Sequence, residues 1–123
     1  MADSKYWTLI QRLHSGTLKR KITWEPTSQD GVFQASFPGY SVLISESAPD
    51  HDKPLQYLKI VNADGELIEA VNDEQIRPDS PEDSAFVLMT DTYNSARSQA
   101  MGIDKALDSI LSNLAKGDDE FEF

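Results

Sequence analysis

The chain has 123 residues, with 21 Asp and Glu against 11 Lys and Arg, a net charge of −10 and 39% hydrophobic content, which suits one soluble domain with a single core. It contains no cysteine, so disulfide frameworks, thiol catalysis and Cys-based zinc or iron-sulfur sites are excluded. The longest apolar run, Ala85 to Met89, falls far short of the roughly 20 residues of a membrane helix. The first residues also lack the basic-then-apolar pattern of a secretion signal, so a cytoplasmic protein with no membrane partner is expected.

Residues 1–21 hold Lys5, Arg12, Lys19, Arg20 and Lys21 against the single acid Asp3, which leaves the rest of the chain strongly acidic. Such a field repels phosphate backbones, because nucleic-acid binding rests on a basic face that releases counterions. No direct nucleic-acid binding is expected. The acidity suits solubility and association with basic protein surfaces. An acidic nucleic-acid mimic is an alternative reading of the same charge.

In chain order, Asp3 or Ser4 is placed to cap a first helix whose apolar residues Tyr6, Leu9, Ile10 and Leu13 fall at i, i+3, i+4 and i+7. Gly16 is placed to end it in a left-handed conformation. From Lys21 to Val71 the period becomes two. Ile22 and Trp24, then Phe33, Ala35 and Phe37, then Tyr40, Val42 and Ile44 alternate with small or polar residues, as in strands with one buried face. Turn signals at Pro26 to Gly31 and at Pro38-Gly39 separate these segments. After a polar loop at Ser47 to Pro54, strands at Leu55 to Val61 and Glu66 to Val71 flank Asn62-Ala63-Asp64-Gly65, a hairpin with Gly65 suited to a positive φ. Five sequential strands predict an antiparallel meander.

Ser80-Pro81-Glu82-Asp83 combines a hydroxyl cap, a first-turn proline and carboxylates at the positive end of the dipole, and so predicts the start of a second helix. Phe86, Met89, Tyr93, Ala96 and Ala100 form its inward stripe, and Gly102 interrupts it. Asp104 is placed to cap a third helix with Leu107, Ile110, Leu111 and Leu114 on one face. The expected fold is α+β: an N-terminal helix, a meander of about five strands, and two C-terminal helices packed on one face of the sheet.

The run Ile22-Thr23-Trp24-Glu25-Pro26-Thr27, with Phe33-Gln34-Ala35-Ser36, Tyr40-Ser41-Val42-Leu43-Ile44, Tyr57-Leu58-Lys59-Ile60 and Asp64-Gly65, resembles a small bacterial domain of unknown function. In that domain a short helix, a meander led by a Trp-Glu strand and a helical tail follow one another. The resemblance implies that order of elements and a bacterial, cytoplasmic setting. It carries no catalytic residues.

Chemical motifs are mostly negative. Asn62 to Gly65 fits part of a calcium loop, but that register puts Ile60 and Val71 at ligand positions. Asp50-His51-Asp52 lacks the spacing of a metal site, and His14 is better placed to complement a helix dipole. Gly39-Tyr40-Ser41 lacks the second glycine of a nucleophile elbow. Neither the dinucleotide-binding nor the P-loop glycine pattern occurs, so no cofactor and no metal is implied. Whether two acids such as Glu25 and Glu69 face one cleft depends on the fold.

Two places carry candidate site residues. Tyr93 and Arg97 are i, i+4 neighbours that, with Asn94, could hold an acidic ligand in a pocket between the second helix and the meander near Trp24 and Tyr57; the bland reading is a structural stack or ion pair. The C-terminus, Gly117 to Phe123, places Asp118, Asp119, Glu120 and Glu122 around Phe121 and Phe123. This tip resembles the terminal peptides of bacterial and phage single-stranded-DNA-binding proteins, which dock an aromatic in a basic-rimmed pocket of a partner protein. The reading that follows is a non-catalytic domain binding another protein through its acidic surface or this tail, with a small ligand-binding domain or enzyme as the rival. Pairing between copies through sheet edges or an exposed Trp7 is also open.

Overall fold

The computed structural model describes residues 2–47 and 54–116, with side chains from residue 5 onward. Helix α1 (Ala2–Leu18) leads into strands β1 (Glu25–Pro26), β2 (Phe33–Phe37), β3 (Tyr40–Glu46), β4 (Gln56–Asn62) and β5 (Leu67–Asn72). Helices α2 (Ala85–Met101) and α3 (Ile103–Lys116) follow. The strands form one antiparallel sheet in the order β1-β2-β3-β4-β5, the meander that the alternation predicts. The fold is α+β.

The period of two converts into one buried face through register. Phe33 pairs with Ile44, Ile44 with Leu58 and Leu58 with Val71, so a single apolar row crosses four strands. Trp7, Ile10 and Leu13 of α1 and Ala85, Met89, Tyr93 and Ala96 of α2 close over that row, with Trp24 and Ile76 completing the buried cluster. His14 faces Asp91, and Thr17 and Leu18 share a groove with Asn94, Ser95 and Ser98. The two helices therefore run side by side in the same direction. Five strands at ~4.8 Å spacing span about 20 Å, a width that two helices of ~10 Å diameter fill. α3 contacts α2 and buries none of its own residues.

Several local expectations shift, each for a tertiary reason. α1 begins at Ala2, so Asp3 and Ser4 lie inside it and do not precede it as caps. Gly16 also lies inside α1, where an added Cβ would come within 2.6 Å of Ile22 Cδ1. Close approach is its role, and the left-handed position passes to Arg20, at φ 59°. The Arg20 N–H donates to Thr17 O at 3.1 Å and the Lys21 N–H to Gly16 O at 2.8 Å, the paired bonds of a Schellman ending.

Ile22 and Trp24 fall outside the two-residue β1. Trp24 is held by side chains instead: its Nε1–H donates to Thr17 Oγ1 at 2.8 Å, and its backbone N–H donates to Gln99 Oε1 at 2.6 Å. Ser80 makes a turn, with Asp83 N–H donating to its carbonyl at 3.1 Å. The α2 cap is Ser84, whose hydroxyl accepts from Val87 N–H at 3.2 Å. Gly102 interrupts the helices at φ 66°, as expected, but Asp104 lies within α3. Trp7 is 2% exposed and belongs to the core, which removes it as a contact between copies.

Candidate functional site

The side chains singled out on α2 part company. Tyr93 is buried, its ring tilted 54° against Phe33 at 5.6 Å between centroids. Its hydroxyl donates to Gly31 O at 2.9 Å. Burial and then the negative charge of Glu46 raise its pKa above the ordinary tyrosine value, with Arg97 pulling the other way; the phenol stays protonated and keeps donating. Asn94 is exposed and lines the groove between α1 and α2. Arg97 is exposed, and none of the ion pairs among the described residues includes it.

Among the described residues, neither the surface groove nor the small internal space is lined by Trp24, Tyr57, Tyr93 or Arg97. Leu58 points into the core, so alternation along β4 sends its neighbour Tyr57 to the opposite face of the sheet. The space between sheet and helices lined by Ile10, Leu13, Ile44, Leu58, Met89 and Thr92 is about 10 Å³ and mostly apolar, too little for more than about one water. Glu25 and Glu69 sit on β1 and β5, the opposite edges of the sheet. Four strand spacings put them about 19 Å apart, beyond the ~9.5 Å limit of a glycosidase pair. Glu69 instead accepts from Tyr6 Oη at 2.7 Å and from Ala70 N–H at 3.0 Å, bonds that lower its pKa.

The remaining motifs resolve as structure or fall outside the described residues. Asn62 Oδ1 accepts from Asp64 N–H at 3.0 Å and Glu66 N–H at 2.9 Å, and Gly65 has φ 82°. That is a hairpin turn with its polar atoms occupied. His14 Nε2 lies 3.9 Å from Asp91 Oδ2 on α2, and α1 runs on past it to Leu18. Among the described residues no group of three His, Cys, Asp or Glu is placed to hold a metal ion. Asp50-His51-Asp52 and the tail residues Asp118, Asp119, Glu120, Phe121 and Phe123 lie outside the described residues.

Two surface features converge where α2 meets α3. An open groove of about 660 Å³ is lined by Thr17, Arg20, Asn94, Ser98 and Lys105, with Asp104 at its rim. Arg20 Nη2 stands 3.6 Å from Asp104 Oδ2, with both side chains largely in solvent. Such a pair is weak and readily exchanged for another anion. α3 also carries an apolar stripe in solvent: Leu107, Ile110, Leu111 and Leu114 are 52%, 55%, 62% and 42% exposed. Their spacing places all four on one face of the helix.

The sequence assigned that stripe to covering the sheet. The signal that separates it from a core stripe is width, since a five-stranded meander already has its inner face filled by two helices.

Fold and surface together define a small α+β domain with a helix-covered meander and a projecting amphipathic helix. Comparison with known proteins finds no matching family model, no matching curated protein and no matching solved structure, so the likeness to a small bacterial domain brings no family with it. Among the described residues no helix is long and apolar enough to cross a membrane.

Proposed function

We propose that this chain is a non-catalytic interaction domain that binds a protein through the apolar face of α3. The observation that carries this reading is that the clearest apolar stripe in the molecule has no buried residue. Leaving these aliphatic side chains about half in water forgoes roughly 1 kcal/mol of burial for each, and a protein partner recovers it. Helix-in-groove docking of this kind reads anchors at i, i+3, i+4 and i+7, the spacing of Leu107, Ile110, Leu111 and Leu114. The chain's charge of −10 disfavours an anionic lipid surface as the alternative.

The test is affinity capture from the source cells with three proteins: the full chain, the full chain carrying Leu107→Asp and Leu111→Asp, and a chain truncated after Lys116. Circular dichroism should show the substituted protein still folded, because both positions are exposed. The reading expects the captured proteins, copies of the chain included, to be lost with the substitutions and kept after truncation. Capture that survives the substitutions and disappears with the tail would reassign binding to residues 117–123.

A further inference from the structure

We infer that the groove shared by the end of α1, α2 and the start of α3 is a binding site for a phosphate monoester of a small polyhydroxy compound, with Arg20 as its anion anchor. None of the α3 stripe residues lines this groove, so the inference stands apart from the docking reading.

Size and lining supply the first support. At about 660 Å³ the groove falls within the ~300–1,000 Å³ of small-molecule clefts. Besides Arg20 and Lys105 it presents Asn94, Ser95, Ser98 and Gln99. The side chains of Asn94, Ser95, Ser98 and Lys105 have no hydrogen-bond partner among the described residues. Gln99 is paired on one side only: its Oε1 accepts from the Trp24 N–H at 2.6 Å, which orients the amide and leaves its NH2 to a further acceptor. Thr17, the buried member of the lining, is fixed by donating to Leu13 O at 2.6 Å and accepting from Trp24 Nε1–H at 2.8 Å. One wall of the groove is thus tied to the core, and the groups left unpaired are mostly donors.

Charge supplies the second support. In a chain of net charge −10 the lining sets Arg20 and Lys105 against Asp104 alone, and Lys19 and Lys21 flank Arg20 in sequence. Charges farther than ~8 Å are largely screened at physiological ionic strength, so this local positive balance governs what binds. Arg20 Nη2 stands 3.6 Å from Asp104 Oδ2 with side chains 80% and 85% exposed, a pair that a better anion displaces. A phosphate monoester offers three strong acceptor oxygens to donors that arrive from three elements, whereas a carboxylate offers two in one plane. No aromatic ring lines the groove, so a nucleobase would have nothing to stack on. The hydroxyls and amides of Asn94, Ser95 and Ser98 suit the hydroxyls of a polyol.

The backbone supplies the third. Arg20 is the only non-glycine residue among those described with a positive φ, 59°, at a helix ending that favours glycine. Glycine would make this turn without strain. Arginine bears the strain and delivers a guanidinium to the groove, and strain of this kind collects at ligand sites.

The test is a 1H–15N NMR titration of the full chain in phosphate-free buffer with ribose 5-phosphate, inorganic phosphate, ribose and malate. Ribose 5-phosphate should give saturable shifts at the amides of Asn94, Ser95, Ser98, Gly102 and Lys105, inorganic phosphate should bind there more weakly, and ribose should shift nothing. Arg20→Gly should weaken binding about tenfold or more and at the same time raise the melting temperature by a few degrees, because glycine relieves the strained turn. A purely structural Arg20 would not move the two in opposite directions. Asp104→Asn should tighten binding several-fold by removing the competing carboxylate. Groove amides that ignore ribose 5-phosphate, or an Arg20→Gly protein that binds it as well as the native chain, would overturn the site. Inorganic phosphate binding as tightly as the ester would reduce it to an adventitious anion contact and overturn the polyol, and malate binding as tightly would overturn the phosphate.

Discussion

α2 and α3 are consecutive helices with opposite fates. α2 has the less regular pattern, with Thr92, Asn94 and Ser95 interleaved among its apolar residues, yet it buries Ala85, Met89, Thr92, Tyr93 and Ala96. α3 carries the cleaner stripe and buries nothing. The polar residues of α2 go inside because their groups find partners: Thr92 donates to Leu88 O at 2.8 Å and Tyr93 to Gly31 O at 2.9 Å. A buried polar group that is hydrogen-bonded costs little, whereas an apolar stripe with no surface left to cover has nowhere to go. Amphipathic pattern therefore says that a face calls for a cover. The width of the sheet decides which helix receives it.

The largest expected effect breaks that contrast if it fails. Trp24→Ala should cost about 3–5 kcal/mol in urea denaturation, while Leu111→Ala, at concentrations where the protein is monomeric, should change stability by less than about 0.5 kcal/mol. Equal losses would mean that α3 is as much a part of the core as the Trp24 site.

Thr17→Val should come next, at about 1–3 kcal/mol, because it leaves the buried Trp24 Nε1–H without its acceptor. Thr17→Ser should retain most of the stability. Ser84→Ala should cost about 1 kcal/mol as the loss of a helix cap, and Ser80→Ala less. The reverse order in thermal melts would return the start of α2 to Ser80.

The smallest effect sharpens the edge of the sheet. Glu69 has a folded pKa below the ordinary 4.5, through the Tyr6 hydroxyl first and the Ala70 N–H second. Its contribution is therefore complete above that ordinary value and is lost as pH falls through the lowered one. Glu69→Gln should flatten the fall in melting temperature between about pH 6 and about pH 3, and an unchanged pH profile would show that the Tyr6 bond contributes nothing.

The strands were legible because a period of two is a local property, and the register merely aligned what each strand already displayed. Helix ends were less so. Gly16 offered the obvious left-handed stop, but Ile22 packs against it and Arg20 takes the strained position. Ser80 and Ser84 carry the same chemistry, and only the docking of Ala85 into the core selects the second. Of the residues singled out on α2, Tyr93 turned inward, and Asn94 lines a groove shared with the end of α1 and the start of α3, where Arg20 and Lys105 join it, and not one facing the meander.

The sequence by itself determined the α+β order, the four longer strands and the presence of an apolar stripe on each helix, because spacing along a helix or strand needs no knowledge of neighbours. Only the tertiary structure decided that α1 and α2 share the single inner face and that α3 is left with its stripe in solvent. The physical reason is finite area: competition between helices for one sheet face is settled by geometry across the whole molecule, which no local window of residues contains.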